Sequence, residues 1–213
     1  MIIAIDGPAA SGKSTVARAL ARLLNLTFLD TGAMYRAVTL RVLEAGENLD
    51  DEQACGRLAA ELDLSFDEQG LVLIDGDPGE PQIRGADVTA AVSTVAAHAL
   101  VRAAIVPKQQ AIAARGGAVA EGRDTTTVVF PEADHKFYLV ASPQERGRRR
   151  ARERGEPERA EEYALEIERR DGLDRNREHS PLRQAQDATR VDTDGCTPEQ
   201  VCEILLGQIQ GGV

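Results

Sequence analysis

The chain has 213 residues, with 25 Lys+Arg against 35 Asp+Glu and a formal net charge of −10. Hydrophobic residues at 42% and charged residues at 28% describe a globular chain that can bury a core without staples, not a disordered one. The acidity argues against whole-surface binding to nucleic acid or anionic membrane. Cys55, Cys196 and Cys202 are too few and too scattered for a disulfide framework or a zinc site, which fits a reducing, cytoplasmic setting.

Residues 2–5 form an apolar, β-branched run that stops at Asp6-Gly7-Pro8, the pattern of a strand buried on both faces of a parallel sheet. The run is far below the roughly 18 apolar residues of a membrane span and lacks the basic flank of a secretion signal, so neither is expected. Val16, Leu20, Leu23 and Leu24 predict a helix from 12 or 13 to 24. A short strand at 27–30 follows, then a helix over 32–45 capped by Thr31 and closed by Gly46, then a helix over 50–62. Residues 71–74 and 81–84 predict two short strands joined by a turn-rich loop. A hairpin does not belong in a parallel core, so 63–90 reads as an insertion. An Ala-rich helix is expected over 94–115 with a kink at Pro107. Strands at 118–121 and 136–140 come next, then Arg-rich helices at 143–154 and 159–177 and a last strand at 189–192. Thr197 as cap and Pro198 at the first position open the final helix. Strands alternating with helices predict an α/β doubly wound sheet, with its ligand beyond the carboxyl ends of the strands.

Gly7-Pro8-Ala9-Ala10-Ser11-Gly12-Lys13-Ser14, followed by Thr15, satisfies GxxxxGK[ST] between a strand and a helix. Glycines let successive N–H groups point at a polyphosphate, and the helix beginning at Lys13 adds its positive end. Lys13 is placed to serve the β and γ phosphates, and the Ser14 hydroxyl to reach Mg²⁺. A guanine-reading Asn-Lys-x-Asp motif is absent. A compact chain of this kind points to a small-molecule kinase. On the acceptor side, Leu29-Asp30-Thr31-Gly32-Ala33-Met34-Tyr35-Arg36 and Glu121-Gly122-Arg123-Asp124 both follow strand ends. Arg170, Asp174 and Arg177 are spaced i, i+4, i+7, one face of a helix. The alternative for that stripe is a surface ladder of salt bridges.

Four blocks, residues 7–15, 29–36, 121–133 and 169–182, together resemble the bacterial cytidylate kinases, nucleoside monophosphate kinases that phosphorylate CMP with ATP. The resemblance covers essentially the whole chain. It implies a P-loop kinase fold: a five-stranded parallel sheet flanked by helices, a small β-containing NMP-binding insert and an Arg-rich helical lid. It implies one domain, with core about 1–62, 91–145 and 178–213, insert about 63–90 and lid about 146–177. It implies that Arg36 and Arg123 hold the CMP phosphate. Thr31, Arg170 and Asp174 would contact the ribose, and Ser93, Arg102, Asp124 and Arg177 the cytosine. It also implies a monomer with ATP and CMP or dCMP as its small-molecule partners, and neither nucleic acid nor membrane. Thr126 stands where the family usually has Gly, and its side chain is expected to alter the loop that presents Arg123 and Asp124. Thr31 replaces a usual Ser, Gln109-Gln110 a common Gln-Arg, and Pro107 is unusual in its helix.

Cytosine offers an N4 amino donor that Asp124 can accept, whereas uracil presents an acceptor there, so CMP is expected over UMP. The acceptor phosphate is already anionic near pH 7, its second pKa being about 6, so no general base is needed. His98, His135 and His179 accordingly read as structural or exposed. Arg146, Arg148, Arg149, Arg150, Arg152 and Arg154 read as a lid face over ATP. Of these, Arg146 and Arg150, one turn apart, are preferred with Lys13 and Arg123 as the catalytic charges. The competing readings are a kinase for UMP, shikimate or dephospho-coenzyme A, and an ATP- or RNA-binding regulatory module built on the arginines.

Overall fold

The computed structural model describes residues 1–211. Five parallel strands form one sheet: β1 (Ile2–Asp6), β2 (Thr27–Asp30), β6 (Ala118–Gly122), β7 (His135–Val140) and β8 (Thr189–Asp192), in spatial order β2-β6-β1-β7-β8. β1 is central, as its continuous apolar run requires, and its in-register neighbours are β6 on one side and β7 on the other. The two faces separate by strand alternation. Ile3 and Ile5 join Val16, Leu20, Phe137, Leu139 and Leu205 under α1 (Lys13–Leu24) and α8 (Pro198–Gly211). Ala4, Ala118 and Ala120 face Leu29, Met34, Val38 and Ile105 under α2 (Thr31–Glu44), α3 (Glu52–Glu61), α4 (Ala86–Val95) and α5 (Ala99–Ala113). Small alanines on that face of the strands leave room for the larger side chains of the helices.

Several boundaries agree with the sequence reading and others move. The final helix has the expected start: Thr197 Oγ1 accepts the Gln200 N–H at 3.3 Å while Gln200 Oε1 accepts the Thr197 N–H at 2.9 Å, a reciprocal cap. At α2 the cap is Asp30, not Thr31, because the Asp30 carboxylate accepts the Ala33 N–H at 2.8 Å. The insertion is a three-stranded antiparallel sheet of β3 (Leu64–Phe66), β4 (Val72–Ile74) and β5 (Asp77–Pro78). The expected strand at 81–84 is instead a 3-10 turn, Gln82–Arg84, whose Ile83 is buried in the core. The single helix expected over 94–115 is two helices, α4 and α5, meeting at 100°. The break lies at residues 96–98, not at Pro107, which sits inside α5. Each of the two helices packs its own apolar side into the core, and one straight rod could not bury both.

The Arg-rich segment folds as an antiparallel pair, α6 (Pro143–Arg154) and α7 (Ala160–Arg175). Gly147 lets them approach so closely that a Cβ there would lie 2.3 Å from the Ala160 carbonyl. α7 ends at Arg175, so Arg177 lies beyond the helical face proposed for it. Among the described residues no single helix is long and apolar enough to cross a membrane.

Candidate active site

The carboxyl ends of β1, β2 and β6 open onto a cleft of about 780 Å³, counting the solvent at its mouth. Its walls carry Lys13 and Ser14 of the glycine-rich loop, Thr31 and Arg36 of α2, Arg102 of α5, and Arg123 and Asp124 beyond β6. Arg150, Arg170, Asp174 and Arg177 close it from the α6–α7 side. The motifs separated by up to 170 residues in sequence therefore converge because parallel strands deliver all their carboxyl ends to one edge. A wider recess at the opposite end of the sheet, lined by Arg18, Phe28, Phe66 and Arg115 among others, holds none of the motif residues.

The loop from Gly7 to Thr15 wraps the start of α1. Gly7, at φ +150, passes so near β7 that a Cβ would lie 2.1 Å from the Leu139 carbonyl. Lys13 Nζ donates to the Pro8 carbonyl at 2.7 Å. Burial, and then the nearby Arg123 cation, lower the Lys13 pKa to about 7, against the pull of Glu121, Asp171 and Asp6. The Ser14 hydroxyl donates to Glu121 Oε1 at 2.7 Å. Burial and then Asp30 raise the Glu121 pKa. Ser14 and Glu121 together offer a hydroxyl and a carboxylate oxygen beside the loop, a donor set suited to a small hard cation that keeps waters and substrate phosphates as its other ligands. Glu121, which sequence reasoning missed, is set against Ser14 only by the pairing of β6 with β1.

On the acceptor side the guanidiniums are crowded. Arg36 Nη1 donates to the Ile83 carbonyl at 3.3 Å and to Thr89 Oγ1 at 3.0 Å, and neither partner is an anion. Its pKa is lowered to about 10 by burial and then by Arg84. Arg170 is lowered further, to about 9, by burial and then by Arg123 and Arg36, and its buried Nε has no partner. Arg84, which sequence reasoning missed, reaches the cleft from the 3-10 turn and pairs with Asp30 at 3.0 Å and Glu80 at 2.8 Å.

Asp174 is the hub of the opposite wall. It accepts from Ser93 Oγ at 3.2 Å, Arg123 Nε at 3.0 Å and Arg177 Nη2 at 2.5 Å. Burial alone would push its carboxyl up, but Arg123, Arg177 and Arg170 hold it below the usual range. Asp174, Asp171 and Glu121 push Arg123 above its ordinary value despite its burial. Asp124 pairs with Arg102, which also donates to Ser180 Oγ at 2.7 Å and stacks over the Tyr35 ring at 5.1 Å. Burial raises the Asp124 pKa, with Arg102 opposing. Thr31 Oγ1 donates to the Glu121 carbonyl at 2.7 Å, which leaves its lone pairs to accept.

Of the glycine-rich loop, Ala9, Ala10, Lys13 and Ser14 line the cleft, whereas Gly7, Pro8, Ser11, Gly12 and Thr15 do not; outside the loop, two expected site residues stand back from it. Ser93 does not line it and touches it only through Asp174. Arg146, expected as a catalytic charge beside Arg150, is buried behind the wall. It pairs with Asp171 and donates to the Ala9 carbonyl at 3.2 Å and the Ala141 carbonyl at 3.2 Å. Asp171 in turn accepts the Ala9 N–H at 2.9 Å. One helical turn is enough to separate the two: Arg150 reaches the cleft while Arg146 points down onto the loop. Arg148, Arg149 and Arg152 are gathered on Glu145 at 3.0, 3.1 and 3.4 Å. None of the three histidines lines the cleft. The Thr126 side chain is buried, and its hydroxyl donates to Asp6 Oδ2.

The sequence matches the cytidylate kinase family model over residues 3–211. It is 48% identical over 210 residues to a cytidylate kinase of Geobacillus kaustophilus, covering 96% of this chain and 94% of that one. It is 42% identical to a cytidylate kinase of Clostridioides difficile, covering 98% of each. It is also 50% identical to a bifunctional pantoate ligase/cytidylate kinase of a Synechococcus strain; the match takes 96% of this chain but spans only 44% of that relative's length. Among solved structures, a Thermus thermophilus protein superposes with a TM-score of 0.51 at 20% identity over 100% of this chain and 97% of that chain, a likeness of fold.

Proposed function

The chain belongs to the cytidylate kinase family, and from that premise we propose that it transfers the γ-phosphoryl group of ATP to the phosphate of CMP or dCMP, giving ADP and CDP or dCDP. The observation that carries this reading is the gathering in one cleft of the buried Arg36 and the half-buried Arg170, neither of them ion-paired among the described residues, with pKa values lowered to about 10 and about 9. Like charges crowded in a partly desolvated site repel, and an anion that joins them relieves the repulsion. They line the same cleft as Lys13, so it can hold the phosphate groups of a donor and an acceptor together.

In this reading Lys13 and the loop N–H groups hold the donor phosphates. Arg36 and Arg123 hold the acceptor phosphate, and Arg170, Arg150 and Lys13 neutralise the group in flight. Positioning and charge neutralisation supply the catalysis, because the acceptor oxygen is anionic without a base. Mg²⁺ is the cofactor; Ser14 and Glu121 would hold it, and it would screen the donor phosphates. Asp124, fixed by Arg102, accepts the cytosine amino group, Arg177 and Ser93 support that end, and Thr31 and Asp174 face the sugar. The insert at 63–90 carries Arg84 to the acceptor side. The segment 146–177 contributes Arg150, Arg170 and Asp174. A monomer acting in the cytoplasm on nucleotides, without nucleic acid or membrane, fits the acidic surface.

The test is ADP release from MgATP with CMP, dCMP, UMP, AMP, GMP or no acceptor. Rapid release with CMP and dCMP and at least tenfold slower release with UMP is expected, since the Asp124 oxygen that would accept the cytosine amino group would instead face the O4 lone pairs of uracil. Equal rates with CMP and UMP would remove Asp124 from base selection. No release with any acceptor would overturn the reading.

A further inference from the structure

The arm that carries Arg123 and Asp124 is held from behind by a group outside the cleft. Asp6 ends β1, directly before the glycine-rich loop, and lies opposite Gly122 of β6 in register. Its carboxylate is fully buried. Oδ1 accepts the Thr125 N–H at 2.9 Å and the Thr125 hydroxyl at 2.6 Å. Oδ2 accepts the Thr126 N–H at 2.7 Å and the Thr126 hydroxyl at 2.6 Å. Thr125 and Thr126 are 0% and 1% exposed. Between them and the next core segment the chain makes one wide turn, with the Asp124 carbonyl accepting the Val128 and Val129 N–H groups at 2.9 and 3.2 Å. Wide turns of this kind concentrate at functional sites.

We propose that Asp6 and the hydroxyls of Thr125 and Thr126 form a positioning fork that sets the Arg123–Asp124 arm relative to the donor loop, and so fixes where the acceptor nucleotide sits. The proposal rests on the acceptor-site reading given above. Two of the four donors are backbone N–H groups that any sequence could supply. The two hydroxyls belong to this chain, and one of them stands where the family resemblance leads one to expect glycine. Hydroxyl bonds to a buried carboxylate are short, directional and strengthened by the low-dielectric surroundings. β-Branching at both residues also narrows the range of side-chain rotamers that compete with the bonded one. Asp6 does not line the cleft, so it acts through the arm and is a positioning residue. Because Asp6 adjoins Gly7 and the threonines adjoin Asp124, the fork ties the donor loop and the acceptor arm to one another across the β1–β6 pair.

Thr126→Val keeps the shape and the β-branching and removes only the hydroxyl. Two readouts are needed: steady-state kinetics with CMP and UMP, and amide hydrogen exchange over residues 123–127 in the nucleotide-free protein. The expected result is a rise of about five- to tenfold in KM for CMP, with a lower CMP-to-UMP ratio of kcat/KM and KM for MgATP within about twofold of its starting value. Exchange over 123–127 is expected to quicken about tenfold. Thr126→Ser, which keeps the hydroxyl, restores both readouts. Thr126→Gly, the residue expected from the family, reproduces the valine effect and serves if valine does not fold. Wild-type exchange and wild-type KM for CMP in both the valine and glycine variants would overturn the fork. If the protein turns over no acceptor at all, the functional reading fails, and the exchange comparison still decides the fork on its own.

Discussion

Burial, and then the nearby Arg123 cation, bring the Lys13 ammonium down to about 7, so in the free protein it loses its charge inside the neutral range. Donor phosphates would raise it again by supplying the opposite charge. The sign follows: the charged form binds the donor better, so affinity is fully present below pH 7 and falls as pH rises through the free-protein value. KM for MgATP is therefore expected to climb between about pH 7 and 9, by at most about tenfold per pH unit. Calorimetry at pH 8 in two buffers of different ionisation heat should register proton uptake on donor binding. A flat KM profile with no proton uptake would show that Lys13 is already charged in the free protein. The acceptor's own titration, near pH 6, lies below this window and does not confuse it.

At the scale of elements, α6 and α7 are not a free flap. Arg146 and Asp171, near the roots of the two helices, grip the carbonyl and the N–H of the same residue, Ala9, and pair with each other. The donor loop and the helical pair thus share one buried joint. Removing one partner would leave a buried charge alone. Arg146→Met is expected to destabilise the fold by about 3–5 kcal/mol, and the Arg146→Met/Asp171→Asn double variant to recover part of that loss. Urea denaturation of the two single variants and the double variant measures it. Additive losses would mean that the two side chains do not act as a pair.

Across the whole molecule, the fold gathers positive charge in one place at the expense of stability: Arg123 pairs with Asp174 and Arg150 with Glu153, while Arg36 and Arg170 make no ion pair among the described residues. α2 brings Arg36, α6 brings Arg150, α7 brings Arg170 and the β6 end brings Arg123, all to one cleft in a chain whose net charge is −10. The nucleotide-free protein carries that repulsion within it, a common bargain at active sites. Arg170→Met is expected to raise the Tm of the nucleotide-free protein by about 2–4 °C, equivalent to about 1 kcal/mol, while lowering kcat/KM for CMP by at least about a hundredfold. Thermal melts beside initial-rate assays check both. A lower Tm would show that Arg170 is held by partners that favour its charge.

Much of this was legible along the chain. The GxxxxGK[ST] loop between an apolar strand and a periodic helix is a local pattern, and local patterns survive folding because their hydrogen bonds are made within a few residues. The alternation of strands and helices likewise determined a parallel sheet and the edge at which the cleft must lie. What the sequence left open were contacts between residues far apart. Helix periodicity put Arg146 and Arg150 on one face, but only the position of Asp171 and Ala9 decides that Arg146 braces the loop and Arg150 faces the cleft. Local propensity made 81–84 a strand, and burial of Ile83 against the core made it a 3-10 turn. Glu121 and Asp6 gained their roles from strand register, Glu121 beside Ser14 and Asp6 beneath Thr125 and Thr126. Short-range geometry and apolar period are written in neighbouring residues. The pairing of charges across the cleft is decided by which elements pack together, and that only the folded chain specifies.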